Sequence, residues 1–204
     1  MKTLQISIEE KELIKELNLI LNETNQLFSH YQSLPKIFLD KYNKFLSKNY
    51  VADQISLDKQ RLDFLKQNLN IDNINITECG SNLGYFCLSL SNQNTKKIIG
   101  YEPINNYAHA SNIISKLLGV HKNVFFHGRG IDLSDIEKLE PSDLYIELNV
   151  LHHAGSQYDN NYINNSKDWI DYSKKRLRML SQKFKYLFFQ TGNMLNNNVL
   201  FPTN

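Results

Sequence analysis

Two cysteines in 204 residues, Cys79 and Cys87, are too few for a disulfide framework. The expected compartment is therefore a reducing cytoplasm. No apolar run approaches the ~20 residues that a membrane helix needs. The opening residues, MKTLQISIEEKELIKEL, place acids where a signal peptide keeps an apolar core. A charge excess is also missing: 23 basic and 21 acidic residues leave a net charge of +2. That disfavours a protein built chiefly to hold nucleic-acid phosphates. Residues 1–70 contain no glycine and only one proline, Pro35. They are too apolar for a solvated tail and too glycine-poor for a linker. What is present is a globular composition, 41% hydrophobic, 11% aromatic and 22% charged. A chain of this length buries roughly 70% of its unfolded surface without staples.

The pattern divides near residue 70. Leu13, Leu17, Ile20 and Leu21 recur at helical spacing, as do Ile37, Phe38, Tyr42, Phe45 and Leu46. A third segment, Ser56 to Leu69, opens on a potential N-cap at Ser56. Three helices are predicted, forming an N-terminal helical cap over residues 1–70. From residue 71 onward, strand and helix patterns alternate. The predicted strands are 71–77, 97–101, 123–126, 144–150 and 186–190. Helices follow over 85–90, 105–118, 132–139 and 168–180. That alternation predicts an α/β fold with a mostly parallel, doubly wound sheet over 71–204.

The chemistry concentrates at the first strand-to-helix turn, Glu78-Cys79-Gly80-Ser81-Asn82-Leu83-Gly84-Tyr85-Phe86. In a doubly wound sheet this turn lies at the carboxyl edge, where ligands bind. Gly80 permits a sharp turn and Gly84 a close helix–strand approach. The dinucleotide fingerprint is absent, because Asn82 stands at the middle glycine position. Glu102, in Tyr101-Glu102-Pro103 after the second strand, lies 24 residues beyond Glu78, near the interval from the glycine turn at which a carboxylate accepts ribose hydroxyls.

These motifs resemble those of the class I S-adenosylmethionine-dependent methyltransferases. The match to the family's first motif falls on Glu78, Gly80, Gly84 and Phe86, and Glu102 matches the acidic ribose ligand of the second. The resemblance covers about residues 71–191. It implies a Rossmann-like fold, S-adenosylmethionine as cofactor and S-adenosylhomocysteine as product. The cofactor-binding residues it implies are Glu78, Gly80, Ser81, Asn82, Gly84, Tyr85, Glu102, Pro103, Gly130, Ile131 and Asn149. The family's C-terminal β-hairpin is expected to be reduced to one short strand or lost by truncation, since only Thr191 to Asn204 follow the fifth strand. A looser resemblance, to bacterial O-methyltransferases of surface-saccharide pathways, implies a small-molecule acceptor such as a sugar or a phosphorylated or phosphoramidate-bearing capsule intermediate.

The fourth-strand end carries His152 and His153. Imidazole titrates near neutrality and is the candidate general base, with His153 favoured and His152 more inward. A structural histidine beside a solvated one is the competing reading. A metal site from His152, His153, Asp159 and Glu147 lacks ligand spacing, and no metal is expected. Arg61 is a candidate for the methionine carboxylate or an anionic substrate, or else a surface ion pair with Asp58 or Asp63. Tyr31, Gln190 and Asn193 are further substrate candidates. Two other classes stand beside a small-molecule enzyme: a methyltransferase-like binding or regulatory module, and a nucleic-acid or protein methyltransferase.

Overall fold

The computed structural model describes residues 6–27, 32–47, 57–91, 94–192, 194–195 and 198–199. Helix α1 (Ile8–Leu27) begins at a reciprocal cap. The Ser7 hydroxyl accepts the Glu10 N–H at 3.1 Å and the Glu10 carboxylate accepts the Ser7 N–H at 2.8 Å. Two donors that the first helical turn cannot satisfy are thereby paired. Ile14, Leu17 and Leu21 on this helix are buried, and α1 packs along α5 (Asn105–Leu117). Helix α2 (Lys36–Tyr42) starts at Pro35 and buries Phe38 and Tyr42. The Tyr42 hydroxyl lies 2.6 Å from the Glu10 carboxylate and 2.9 Å from the Leu117 carbonyl, joining α1, α2 and α5. Helix α3 (Asp58–Asn68) buries Leu62 and Leu65 and packs on α4 (Tyr85–Leu90). Ser56, the expected cap of α3, lies outside the described residues.

Five strands, β1 (Asn75–Cys79), β2 (Lys97–Tyr101), β3 (Val124–His127), β4 (Leu144–Leu148) and β5 (Tyr186–Gln190), form one parallel sheet. Its order is β3-β2-β1-β4-β5. The order reverses between β1 and β4, so the ligand crevice of such a sheet lies over their carboxyl ends. Successive strand residues face opposite layers. Ile76, Ile98, Leu144 and Ile146 join the core beneath α1 to α5, while Ile99, Tyr101 and Tyr145 join a second core with Trp169, Tyr172 and Leu180 of α6 (Ser166–Lys183). Helix α6 is capped by Asn165, whose side chain accepts the N–H groups of Lys167 and Asp168.

Four sequence expectations are corrected. The first strand begins at Asn75 rather than Ile71, because Asn73 is in a left-handed turn (φ 61°) that cannot continue a pleat. The helix expected over 132–139 is one 3-10 turn, Ile136–Lys138. There the Asp132 carboxylate accepts the Asp135 N–H and the Ser134 hydroxyl, and such local side-chain bonds compete with a helix. The fourth strand stops at Leu148, since Asn149 is left-handed (φ 58°). Past β5 the chain forms a small antiparallel pair, β6 (Met194–Leu195) with β7 (Asn198–Val199), separate from the main sheet. The terminal hairpin is thus two two-residue strands paired with each other, not one.

Between β4 and α6 lies a buried ion pair. Arg176 Nη2 donates to Glu147 Oε2 at 2.8 Å, and both side chains are sealed from water. The Tyr145 hydroxyl donates to the same carboxylate at 2.9 Å, and Arg176 Nη1 has no partner among the described residues. Removing one member of such a pair strands the other charge in a low-dielectric interior. Arg176→Met should therefore cost ~3–5 kcal/mol in urea unfolding. Adding Glu147→Leu should recover most of that loss. A double variant no more stable than the single one would show that packing, not the stranded carboxylate, sets the cost.

Candidate functional site

The glycine turn is fastened to the end of β2. The N–H groups of Gly80 and Ser81 both donate to the Tyr101 carbonyl, at 2.8 and 3.0 Å. Gly80 has φ 72°, and a Cβ there would lie 2.5 Å from Val150 Cγ2, so the turn closely abuts the chain leaving β4. Gly84 has φ 76°, and a Cβ there would meet the Phe126 ring at 2.8 Å. Asn82, at the fingerprint's middle glycine position, is itself left-handed at φ 49°. Asparagine is among the few residues that tolerate this region, so the backbone shape survives the loss of glycine.

Glu102 sits behind the turn and is buried. Its Oε2 accepts the Asn82 N–H at 2.8 Å and its Oε1 accepts the Ile104 N–H at 3.0 Å. Each oxygen retains one lone pair for a ligand hydroxyl. Burial raises its pKa, against the two backbone bonds. Pro103 follows at the surface, and a Cβ on Gly130 would lie 3.9 Å from the Pro103 ring. Ile131 is buried beside exposed Gly130. Ser81 Oγ is fully buried without a partner among the described residues. Tyr85 is buried, and its N–H donates to Gln32 Oε1 at 3.3 Å, which brings the N-terminal segment to the start of α4.

Glu78 turns away from the open edge. Its carboxyl is buried under α4, where Cys87 donates from N–H at 3.2 Å and from Sγ at 2.9 Å. Burial pushes its pKa up to about 8, assisted by the nearby charges of Asp58 and Glu102. Asp58 is itself buried and 3.2 Å from Arg61 Nη1. Cys79 and Cys87 are free, buried thiols, and burial holds the former up to about 12.

His152 and His153 share the 3-10 turn Leu151–His153 after β4. Their rings lie against each other, centroids 3.9 Å apart and tilted by 40°. His152 Nδ1 accepts the Gly192 N–H at 3.4 Å, which leaves its proton on Nε2. Burial, then the neighbouring His153, lowers the His152 pKa, and burial lowers that of His153. Both shifts favour the neutral imidazole, and the His153 ring has no hydrogen-bond partner among the described residues. Asn149 donates its N–H to the Gln190 carbonyl at 2.8 Å, tying the β4 and β5 ends together.

Arg61 and Gln190, 129 residues apart, meet: Arg61 Nε donates to Gln190 Oε1 at 2.8 Å. They line a hollow of about 320 Å³ with Leu57, Gln60, Phe64, Leu148, Phe188 and Phe189. Phe64 and Phe188 carried no sequence signal, since each reads as an ordinary apolar position of its element. Tyr31 and Asn193 lie outside the described residues. Glu147 and Asp159 are not gathered as ligands: Glu147 holds Arg176, and Asp159 accepts the Tyr172 hydroxyl and the Leu133 N–H. Among the described residues no group of three or more His, Cys, Asp or Glu could hold a metal ion, and no helix is long and apolar enough to cross a membrane.

A protonated Glu78 makes a signed prediction. Its folded pKa, about 8, stands above its unfolded value, so the folded chain binds the extra proton between roughly pH 4.5 and 8. The stability this contributes is full below that window and is lost as pH rises through it. Glu78→Gln, which cannot ionise, should remove that component. The difference in unfolding free energy, variant minus wild type, should grow in the variant's favour from pH 5 to pH 8. A constant difference across that range would place the Glu78 pKa near normal.

No protein-family model matches the chain, and no curated protein sequence matches it. Solved structures do. The 2.2 Å crystal structure of WbdD aligns with a TM-score of 0.59 and 20% identity over 82% of this chain and 34% of that one. A structure of monomeric WbdD aligns at 0.56 and 19%, over 82% and 36%. A medium-resolution structure of WbdD, described as a bifunctional kinase-methyltransferase, aligns at 0.55 and 21%, over 82% and 33%. The chain thus spans about a third of the length of the proteins it resembles. What these likenesses establish is architecture: the chain has a Rossmann-like α/β fold like that of the aligned part of WbdD.

Proposed function

We propose that the chain is an S-adenosylmethionine-dependent methyltransferase acting on an oxygen of a small molecule, such as a sugar or a phosphorylated or phosphoramidate-bearing intermediate of surface-polysaccharide synthesis. The observation that carries the reading is the buried Glu102 carboxylate, fixed at the carboxyl end of β2 beside the glycine turn by two backbone N–H groups with a lone pair spare on each oxygen. The likeness to WbdD, described as a kinase-methyltransferase, supports it.

The residues fit the cofactor. Glu102 would accept the ribose hydroxyls. Pro103 and Gly130, which approach each other closely, would border the adenine together with Ile131. The backbone of Gly80 to Asn82, with Gly84 and Tyr85 closing the turn, would border the amino-acid tail. When bound, S-adenosylmethionine supplies a methyl group already activated on a cationic sulfur. The chain's own task is then mainly alignment, an effect worth up to ~7–11 kcal/mol. For a neutral hydroxyl acceptor, His153 would take the proton as the oxygen attacks. For an acceptor already charged, the histidines would position it as donors. Helix α3 brings Arg61 to the strand ends, which supports reading residues 1–70 as a cap that shapes the acceptor side.

Two measurements test this. Glu102→Ala should weaken S-adenosylhomocysteine binding by ~1.5–3 kcal/mol in calorimetry, the range for hydrogen bonds to a charged group. Unchanged affinity would remove Glu102 from the ribose site, and binding without turnover on any acceptor would identify a binding module instead.

The second measurement is the pH profile of turnover. With His153 as base, turnover should rise with pH through a midpoint below the ordinary ~6.5, since its pKa is lowered. His153→Ala should then cost ~10²–10⁴-fold with cofactor affinity unchanged. Turnover that falls with pH through the same window would make the histidines positioning donors.

A further inference from the structure

The hollow between α3 and the ends of β4 and β5 has a chemistry of its own. One wall is apolar: Leu57, Phe64, Leu148, Phe188 and Phe189. The rings of Phe64 and Phe188 lie nearly parallel, at 16° with centroids 6.3 Å apart. Phe188 is braced from behind by an edge-on contact with Phe86, at 6.4 Å. Phe64, 58% exposed, leaves its ring accessible.

The other wall is polar, and its polarity has one sense. Arginine can only donate, so the Gln190 oxygen must be the atom facing Arg61 Nε. That bond turns the Gln190 amide so that its NH₂ is the free end. Arg61 Nη1 is held by Asp58, which leaves Nη2 without a partner among the described residues. Asp58 does not line the hollow, so its carboxylate orients the guanidinium from behind. Two unspent donors, one of them charged, therefore stand beside a flat apolar wall. A neutral apolar occupant would leave both donors desolvated and unpaired, at a cost. A bidentate oxyanion satisfies them. The volume, about 320 Å³, suits one ring and a head group rather than an oligomer.

We propose that this hollow binds a compact organic oxyanion, a phosphate monoester or a carboxylate, whose oxygens meet Arg61 Nη2 and the Gln190 amide while its flat apolar face lies on Phe64 and Phe188. It rests on the reading above only in taking the bound molecule to be the methyl acceptor. The Gln190 carbonyl bonds to Asn149, and Gly192 bonds to His152 two residues on, so the hollow adjoins the histidine turn.

The test is calorimetric titration of the full chain with phenyl phosphate, glucose 1-phosphate and benzoate, against neutral benzyl alcohol, with and without S-adenosylhomocysteine. Saturable binding of at least one anion, about tenfold or more tighter than benzyl alcohol, is expected. The tightest anion then tells a phosphate head from a carboxylate. Arg61→Gln should weaken it by about tenfold to a hundredfold. Phe64→Ala should weaken the aryl anions without affecting inorganic phosphate. Should Arg61→Gln not fold, Gln190→Leu, which removes a neutral donor together with the oxygen that holds Arg61 Nε, should still weaken the anion severalfold. The proposal is overturned if benzyl alcohol binds as tightly as the anions, if none saturates, or if the folded variants bind as the wild type does. Anion binding with this residue dependence but no S-adenosylhomocysteine binding would keep the hollow and remove methyl transfer. The opposite pair of results would remove the hollow and keep methyl transfer.

Discussion

The Glu102 carboxylate reaches across from the end of β2 and holds two turns at once, one N–H from the glycine turn and one from the start of α5. A carboxylate that accepts backbone N–H groups in a buried site orders the backbone as well as bearing charge. With the Tyr101 carbonyl receiving Gly80 and Ser81, it clamps the first strand-to-helix turn to the second strand. The left-handed conformations of Gly80, Asn82 and Gly84 persist because these bonds over-determine them. Everything else at the carboxyl edge is placed relative to that clamp, including Val150 against Gly80.

On the other side of the switch point a second polar knot does equivalent work. Glu147 and Arg176 anchor α6 to β4. The Arg176 guanidinium lies 5.7 Å from the Tyr158 ring, and the Tyr172 hydroxyl donates to Asp159. These contacts shape the segment between β4 and α6, which carries the histidines. Buried polar groups paired in this way favour one arrangement of a loop where apolar packing alone would permit several. The histidine rings then lie against each other, and burial favours the neutral form of both, with His153 adding to the effect at His152. Position and protonation state thus come from the same geometry.

Much of this architecture was legible in the chain. The strand at 97–101 stands where an apolar run predicts it, since a buried parallel strand needs a continuous apolar segment, and the edge strand at 186–190 also stands at its apolar run although none of its residues is buried. The glycine turn and Glu102 were legible because both lie at fixed intervals along one βαβ unit. The boundaries that moved did so at Asn73, Asp132 and Asn149, short polar side chains that tolerate left-handed backbone or bond to their own loop. Hydrophobic periodicity carries no information about such residues.

What the amino-acid order determined by itself was local: which segments are strands and helices, their parallel alternation, and the turn that faces a ligand. What only the tertiary structure decided was which distant groups share a dielectric and a hydrogen bond. Arg61 finds Gln190 across 129 residues, Arg176 finds Glu147, and Glu78 faces Cys87 under a helix where its carboxyl keeps its proton. A side chain's charge state and free donors depend on burial and on partners brought from elsewhere in the chain. Those quantities do not exist until the sheet has closed against its helices.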